Sequence, residues 1–116
     1  MKRIYIAGAY SADNVLGMLR NIRRGIEKAV ELMQMGYAPF CPFLDFQYGL
    51  KADIPLEVYQ KASLEWLKVC DVMYVLSGWE HSKGTLNEIK VALLEGIPIA
   101  YSMEDLECLS GGKICK

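Results

Sequence analysis

An α/β fold with one parallel sheet covered by helices on both faces is the class that this sequence predicts. Short apolar runs alternate with longer stretches in which apolar residues recur every three or four positions, the patterns of buried strands and amphipathic helices. Strands that alternate with helices form a parallel sheet, and right-handed connections place the first strand in its interior. We therefore predict that residues 1–116 form one domain, a flavodoxin-like three-layer sandwich with four to five parallel strands.

The first part of the chain supplies two of these strands and one helix. Arg3–Ala7 is an apolar strand, and a helix follows over about 15–35, where Gly36 ends it. "YAPFCP" (37–42) is a short second strand whose prolines indicate its ends or an edge position. A long loop with several aromatic residues follows over 43–53. It is either a lid or pocket wall, or a loop that packs its own rings over the core.

The second part repeats the alternation. The predicted elements are a helix over about 56–69, a strand over 72–76, a helix over about 85–95 and a strand over 97–101. The first of these helices carries an apolar stripe made of Val58, Ala62, Trp66 and Val69. The tail predicts a short helix and a weak last strand, "KIC".

Composition excludes several classes of function. The net charge of −1 gives no extended basic field for nucleic acid. No apolar run approaches the roughly 20 residues of a membrane span, and the apolar part of "MKRIYIAGAY" is too short for a signal peptide. The four cysteines form no CxxC pair, and His81 is the only histidine. We therefore expect a reduced, cytoplasmic protein without a metal site.

The predicted topology places a ligand crevice at the carboxyl ends of the strands. The loop segments 8–13, 43–53 and 77–84 converge there. The first loop, "GAYSADNVLG", lacks the G-x-G-x-x-G pattern of dinucleotide sites, and the chain has no G-x-x-x-x-G-K-[ST]. The crevice is therefore not that of a Rossmann dehydrogenase or of a P-loop nucleoside triphosphatase.

"EHSKGTLNE" (80–88) combines a helix start with a carboxylate. Ser82 is a candidate N-cap. The amides of Lys83, Gly84 and Thr85 would then remain for an anion, which Gly84 lets approach closely. Capping and phosphate binding are compatible. Glu88 lies one turn later on a largely apolar helix, so its charge needs a partner, unless it forms a solvent-facing stripe with Glu95.

Four blocks of the sequence carry a resemblance to a known family. They are "IYIAGAYS", "YAPFCPF", "LEWLKVCDVMYVL" and "GWEHSKGTLNEIKVALLEGIPI", and together they span about Ile4 to Tyr101. In order and spacing the chain resembles the nucleoside 2-deoxyribosyltransferase superfamily, including its deoxynucleoside-monophosphate N-glycosidase branch. The resemblance implies a small-molecule nucleotide or nucleoside as ligand, no cofactor, and a homodimer or larger homo-oligomer.

The resemblance also implies roles for individual residues. Glu88 matches the nucleophile, and Tyr5 matches the tyrosine that orients it. Ser82 stands at the position that meets the 5′ end of the sugar, where a serine suits a 5′-phosphate. The further predicted substrate contacts are Gly84 and the first-loop residues Gly8, Ala9, Tyr10 and Ser11.

The chain departs from the family's pattern at one position. The aspartate that serves the base and its leaving-group proton is here Ser63, which is no acid at neutral pH. Asp45 and Asp53, in the long loop, are the candidates to replace it. The function predicted is cleavage of the N-glycosidic bond of a nucleoside 5′-monophosphate, by hydrolysis or transfer. The alternatives are a non-catalytic nucleotide-binding module and a scaffold without a ligand.

Overall fold

One parallel sheet forms the centre of the molecule. The computed structural model describes residues 1–110. In this region the strands of the sheet are β1 (Arg3–Ala7), β2 (Ala38–Phe40), β3 (Val72–Val75) and β4 (Ile99–Ala100). Their order is β2-β1-β3-β4 and every pair is parallel. The predicted flavodoxin-like class is thus confirmed, with β1 in the interior. The strand expected at "KIC" lies outside the described residues.

Helices cover both faces of this sheet. They are α1 (Val15–Gln34), α2 (Leu56–Leu67), α3 (Lys83–Leu94) and α4 (Met103–Leu109). Successive side chains of a strand point to opposite faces, and β1 follows this rule. Ile4 and Ile6 pack with α1 and α4, through Ile22, Ala29, Leu32 and Leu106. On the other face, Tyr5 and Ala7 pack with α2 and α3, through Leu67, Ile89 and Ala92.

The register of the central strands places two loops at one edge. Ala7 pairs with Val75, and the Leu76 amide donates to the Ala7 carbonyl over 2.8 Å. The two strands therefore end level, and the loops after them leave from the same edge. Gly8 lies so close to Leu76 that a Cβ on it would be 3.0 Å from that side chain. A larger residue at Gly8 would push the loop and β3 apart.

The segment predicted as a loop over 43–53 is mostly helical. A 3₁₀ helix spans Pro42–Leu50. Its residue Phe43 is buried against Gly25 of α1, where an added Cβ would be 2.3 Å from the ring. This element was not predicted, because a 3₁₀ helix lacks the 3.6-residue period by which helices are recognised in a sequence. Packing and lining a pocket, which the sequence left as alternatives, occur together, since Phe43 also lines a cavity.

The apolar pattern of α2 identified the helix but does not mark its buried face. Ser63 and Leu67 are its buried residues. The α2 apolar stripe is instead exposed; it consists of Val58, Ala62 and Trp66 on the helix and Val69 in the turn directly after it. Ser63 and Leu67 lie on the side of the helix that faces the sheet, whereas the stripe lies on the exposed side. Within residues 1–110 this apolar face therefore stays largely exposed, although Trp66 stacks on Phe40.

Candidate active site

Tyr5 and Glu88 form the central contact of the site. Tyr5 is fully buried on β1, and its hydroxyl donates a hydrogen bond to Glu88 Oε2 on α3. The contact joins residues that are 83 positions apart in the chain. Glu88 is only partly exposed, whereas Glu95, the other member of the alternative solvent-facing stripe, is exposed. Glu88 lines a cavity and does not belong to the outer surface.

Burial controls the protonation of both groups. It raises the pKa of Glu88 to about 7, although the hydrogen bond from Tyr5 acts in the opposite direction. It also raises the pKa of Tyr5, and the neighbouring charge of Glu88 raises it further. Tyr5 is therefore a permanent hydrogen-bond donor. Glu88 is a carboxylate that gains its charge near neutral pH, as a nucleophile or general base requires.

A large cavity opens at the carboxyl ends of the strands, above this pair. Its volume is about 920 Å³, within the range of small-molecule sites. Tyr5 lies beneath it, and all nine other site residues predicted from the sequence line it: Gly8, Ala9, Tyr10, Ser11, Asp45, Ser63, Ser82, Gly84 and Glu88. The structure thus brings the three predicted loop segments around a single space.

The start of α3 forms one part of this cavity. Ser82 is the N-cap, and its Oγ accepts hydrogen bonds from the Thr85 amide (3.3 Å) and the Thr85 hydroxyl (2.8 Å). The expectation that the Thr85 amide is free for a ligand is therefore wrong. The amides of Lys83 and Gly84 remain among those that a helix start leaves without an intrahelical partner. A Cβ added to Gly84 would meet no atom within 4 Å, so this backbone is open to a ligand.

A second carboxyl group lies on the 3₁₀ helix. Ser63, buried on α2, donates from Oγ to Asp45 Oδ2 over 3.5 Å, and it also contacts the Tyr5 hydroxyl. Burial raises the pKa of Asp45. Asp53, the other acid considered from the sequence, is exposed and does not line the cavity. Of the two candidates, the structure therefore brings only Asp45 to the site.

The α2 wall of the cavity was largely missed by sequence reasoning. Leu56, Tyr59 and Gln60 face the cavity together with Ser63. Their spacing of three, four and seven residues marks one face of a helix. That spacing is present in the sequence, but Gln60 and Ser63 are polar, so the pattern does not predict a buried face. Asn87, next to Glu88 in the chain, also lines the cavity and was not predicted.

Two classes of feature are absent from residues 1–110. No three histidine, cysteine, aspartate or glutamate side chains are grouped closely enough there to hold a metal ion. In the same region no helix has both the length and the apolar character needed to cross a membrane.

A comparison with known families assigns the chain to one of them. The profile of a family described as "Domain of unknown function (DUF4406)" matches residues 2–101. The chain therefore belongs to this family. A comparison with curated proteins found no match.

Among solved structures, the chain is similar to the CMP N-glycosidase BcmB of Clostridium botulinum. The identity is 22%, the TM-score is 0.57, and the match covers 93% of this chain and 82% of that one. The fold of BcmB is nucleoside 2-deoxyribosyltransferase-like. The family resemblance expected from the sequence is therefore confirmed at the level of the fold.

Proposed function

We propose that this protein cleaves the N-glycosidic bond of a nucleoside 5′-monophosphate, with Glu88 as the nucleophile. The observation that carries the proposal is the Glu88 carboxylate in the cavity, held by the buried hydroxyl of Tyr5. A glutamate with a purely structural role has no need to line a cavity or to have a pKa near 7. Nucleophiles and general bases are commonly tuned in this way.

The chemistry would proceed in two steps. A Glu88 carboxylate oxygen attacks the anomeric carbon, and the bond from that carbon to the base nitrogen breaks with its electron pair on the base. The resulting glycosyl ester is then resolved by water, or by a second base in a transfer reaction. Two displacements at one carbon give retention of configuration. The Tyr5 hydroxyl keeps the attacking oxygen aimed and, because Tyr5 is buried, cannot turn away.

The phosphate would bind at the start of α3. The amides of Lys83 and Gly84 and the helix dipole favour an anion there, and both residues line the cavity. Ser82 adds a hydroxyl and no charge, whereas a carboxylate at that position would repel a phosphate. This arrangement supports a nucleotide over a nucleoside as the substrate.

The similarity to a CMP N-glycosidase supports the same reaction class. Its specificity for CMP belongs to that protein. For this chain we propose a nucleotide N-glycosidase or deoxyribosyltransferase type of activity, without assigning the base or the sugar.

A non-catalytic nucleotide-binding module is the second candidate. The observation that favours it is Ser63. It stands where the nucleoside 2-deoxyribosyltransferase superfamily has an aspartate that serves the leaving base. A protein with this loss would bind a nucleotide in the same cavity without releasing a base.

A panel experiment separates the two candidates. The protein is incubated with ribo- and deoxyribonucleoside monophosphates, and free base is measured by chromatography, with binding measured by calorimetry. We expect base release from at least one nucleotide, and its loss in Glu88→Gln, which keeps the size of the side chain but not the charge. Nucleotide affinity should persist in this variant, because ground-state binding is unaffected. Binding without base release in the wild type would leave the binding module, and no binding at all would contradict both.

A further inference from the structure

The site contains a carboxyl group for which the attack by Glu88 has no use. Asp45 lines the cavity from the 3₁₀ helix and is linked through Ser63 to the Tyr5 hydroxyl, and so to Glu88. Glycosidic cleavage that retains configuration uses two carboxyl groups, one as nucleophile and one as acid and then base. Glu88 and Asp45 are the two carboxyl groups that line this cavity among the described residues.

We propose that Asp45 is the acid that protonates the departing base, and that Ser63 positions it. This inference rests on the proposed function and adds the second catalytic group to it. The acid is thereby carried by the 3₁₀ helix after β2 and not by α2. The serine on α2 keeps contact with the acid through a hydrogen bond in place of supplying the carboxyl itself.

The groups around Asp45 favour a proton on it. Its polar or titratable neighbours are Tyr5 from β1, Tyr10 from the first loop, Cys41 before the 3₁₀ helix, and Ser63 and Tyr59 from α2. None of them carries a positive charge that would hold a carboxylate ionised. Partial burial therefore raises the pKa of Asp45, while the Ser63 hydroxyl lowers it. A carboxyl group whose pKa is raised keeps its proton to a higher pH, which is the direction that a general acid needs.

Other groups in the cavity are less suited to this role. Tyr10 is a weaker acid than usual, because burial raises its pKa. His81 is exposed in the turn before α3, the part of the site where we place the phosphate. The Ser63 hydroxyl does not ionise in this pH range. Besides the nucleophile Glu88, Asp45 is thus the carboxyl group that lines this cavity within residues 1–110.

The proton that Asp45 gives to the base is replaced by a proton from water. In the first step the Asp45 carboxyl proton moves to the base nitrogen as the bond to the anomeric carbon breaks, and Glu88 forms its ester. In the second step Asp45, now a carboxylate, takes a proton from the attacking water. The water oxygen bonds to the anomeric carbon, and Glu88 leaves as a carboxylate. The sum is nucleotide plus water giving base plus sugar phosphate, and both carboxyl groups return to their starting state.

The test combines removal and relocation of the acid. Asp45→Asn is compared with Asp53→Asn, a control in the same stretch of chain that is exposed and outside the cavity. Each variant is assayed on the nucleotide that the wild type cleaves and on an analogue that carries fluorine on its base. The fluorinated base leaves more readily. Asp45→Asn combined with Ser63→Asp places a carboxyl group on α2 instead. Nucleotide affinity is measured for each variant, so that a loss of fold or of binding is recognised.

We expect Asp45→Asn to lower kcat about 100-fold or more on the natural nucleotide, with affinity within a few-fold of wild type. The loss should be smaller on the fluorinated analogue, and the double variant should regain part of the activity. If Asp45 had a purely structural role, Asp45→Asn would instead lower kcat by the same factor on both substrates. Equal losses, or activity within a few-fold of wild type, would overturn the role of Asp45, while the loss in Glu88→Gln would still support the glycosidase. If the wild type releases no base from any nucleotide, the proposed function fails and this inference fails with it.

Discussion

At the scale of single residues, the burial of Glu88 beside Tyr5 makes the stability of the folded protein depend on pH. A carboxylate in a partly dry site is less stable than the same group in water, so the folded protein holds its proton more tightly. Between the ordinary pKa of 4.5 and the folded value of about 7, the folded state binds more protons than the unfolded state. The stabilising effect of protonated Glu88 is therefore complete at low pH and is lost as the pH rises through 7.

Comparison of the wild type with Glu88→Gln should reveal this linkage. The glutamine is neutral at every pH, and its carbonyl oxygen can still accept from Tyr5. Raising the pH from 5 to 8 should therefore lower the free energy of unfolding of the wild type more than that of the variant. The expected difference is on the order of 2–3 kcal/mol, measured by urea denaturation at both pH values. Parallel pH profiles would mean that Glu88 ionises as an ordinary exposed carboxylate. Asp45 is present in both proteins, so its own titration cancels.

At the scale of elements, the N-terminus of α3 serves the fold and leaves amides for a ligand. Ser82 binds the Thr85 amide and hydroxyl, which satisfies the cap. The amides before Thr85 belong to the part of the helix start that faces the cavity. Capping and anion binding therefore use different groups, and a substitution can separate them.

Ser82→Asp is the substitution that separates the two roles. Aspartate is as good an N-cap as serine, and its charge suits the helix dipole, so the melting temperature should not fall. The same charge should repel a 5′-phosphate and lower nucleoside monophosphate affinity about tenfold or more, with little change for the nucleoside. Calorimetric titration with both ligands provides the measurement. Ser102→Asp is the matched control, because Ser102 caps α4 through the Asp105 amide over 3.1 Å. An equal loss of affinity for nucleoside and nucleotide would indicate that Ser82 is only a cap.

The elements also show what the sequence could and could not predict. Strand positions and the crevice followed from apolar runs and parallel topology, which are local signals joined by a general rule. The contact between Tyr5 and Glu88 was expected only through the family resemblance, because no local pattern joins residues so distant in the chain. The buried face of α2 was not predicted, because Ser63 is small and polar and its place against the sheet depends on tertiary packing. The helix expected to begin at about Thr85 begins at Lys83, directly after its Ser82 cap.

At the scale of the whole molecule, the α2 apolar stripe is an apolar surface beside the site that residues 1–110 leave largely exposed. Val58, Trp66 and Val69 are 49%, 56% and 47% exposed. Trp66 stacks on Phe40, with ring centroids 5.7 Å apart, and Phe40 stacks in turn on Tyr5. The stripe is therefore connected through aromatic rings to the pair at the centre of the site. A smaller cavity of about 400 Å³ between the 3₁₀ helix and α2 includes Trp66 and shares Asp45 and Ser63 with the main cavity.

We propose that a second copy of this chain covers the α2 apolar stripe. Contiguous apolar surface on a helix is favourable only when it is removed from water, and a homo-oligomer is what the family resemblance implies.

The wild type should sediment at twice the mass of the chain or more, and Val58→Glu should shift it toward the monomer, because a carboxylate buried against apolar side chains is costly. Leu93→Glu on α3 is the control, since Leu93 is 67% exposed on a different helix and should leave the mass unchanged. Because the stripe adjoins the wall that carries Asp45 and Ser63, the monomeric variant should also bind nucleotide more weakly. A wild type that remains monomeric at high concentration, or a Val58→Glu variant that keeps its mass, would show that the stripe is not the contact between copies.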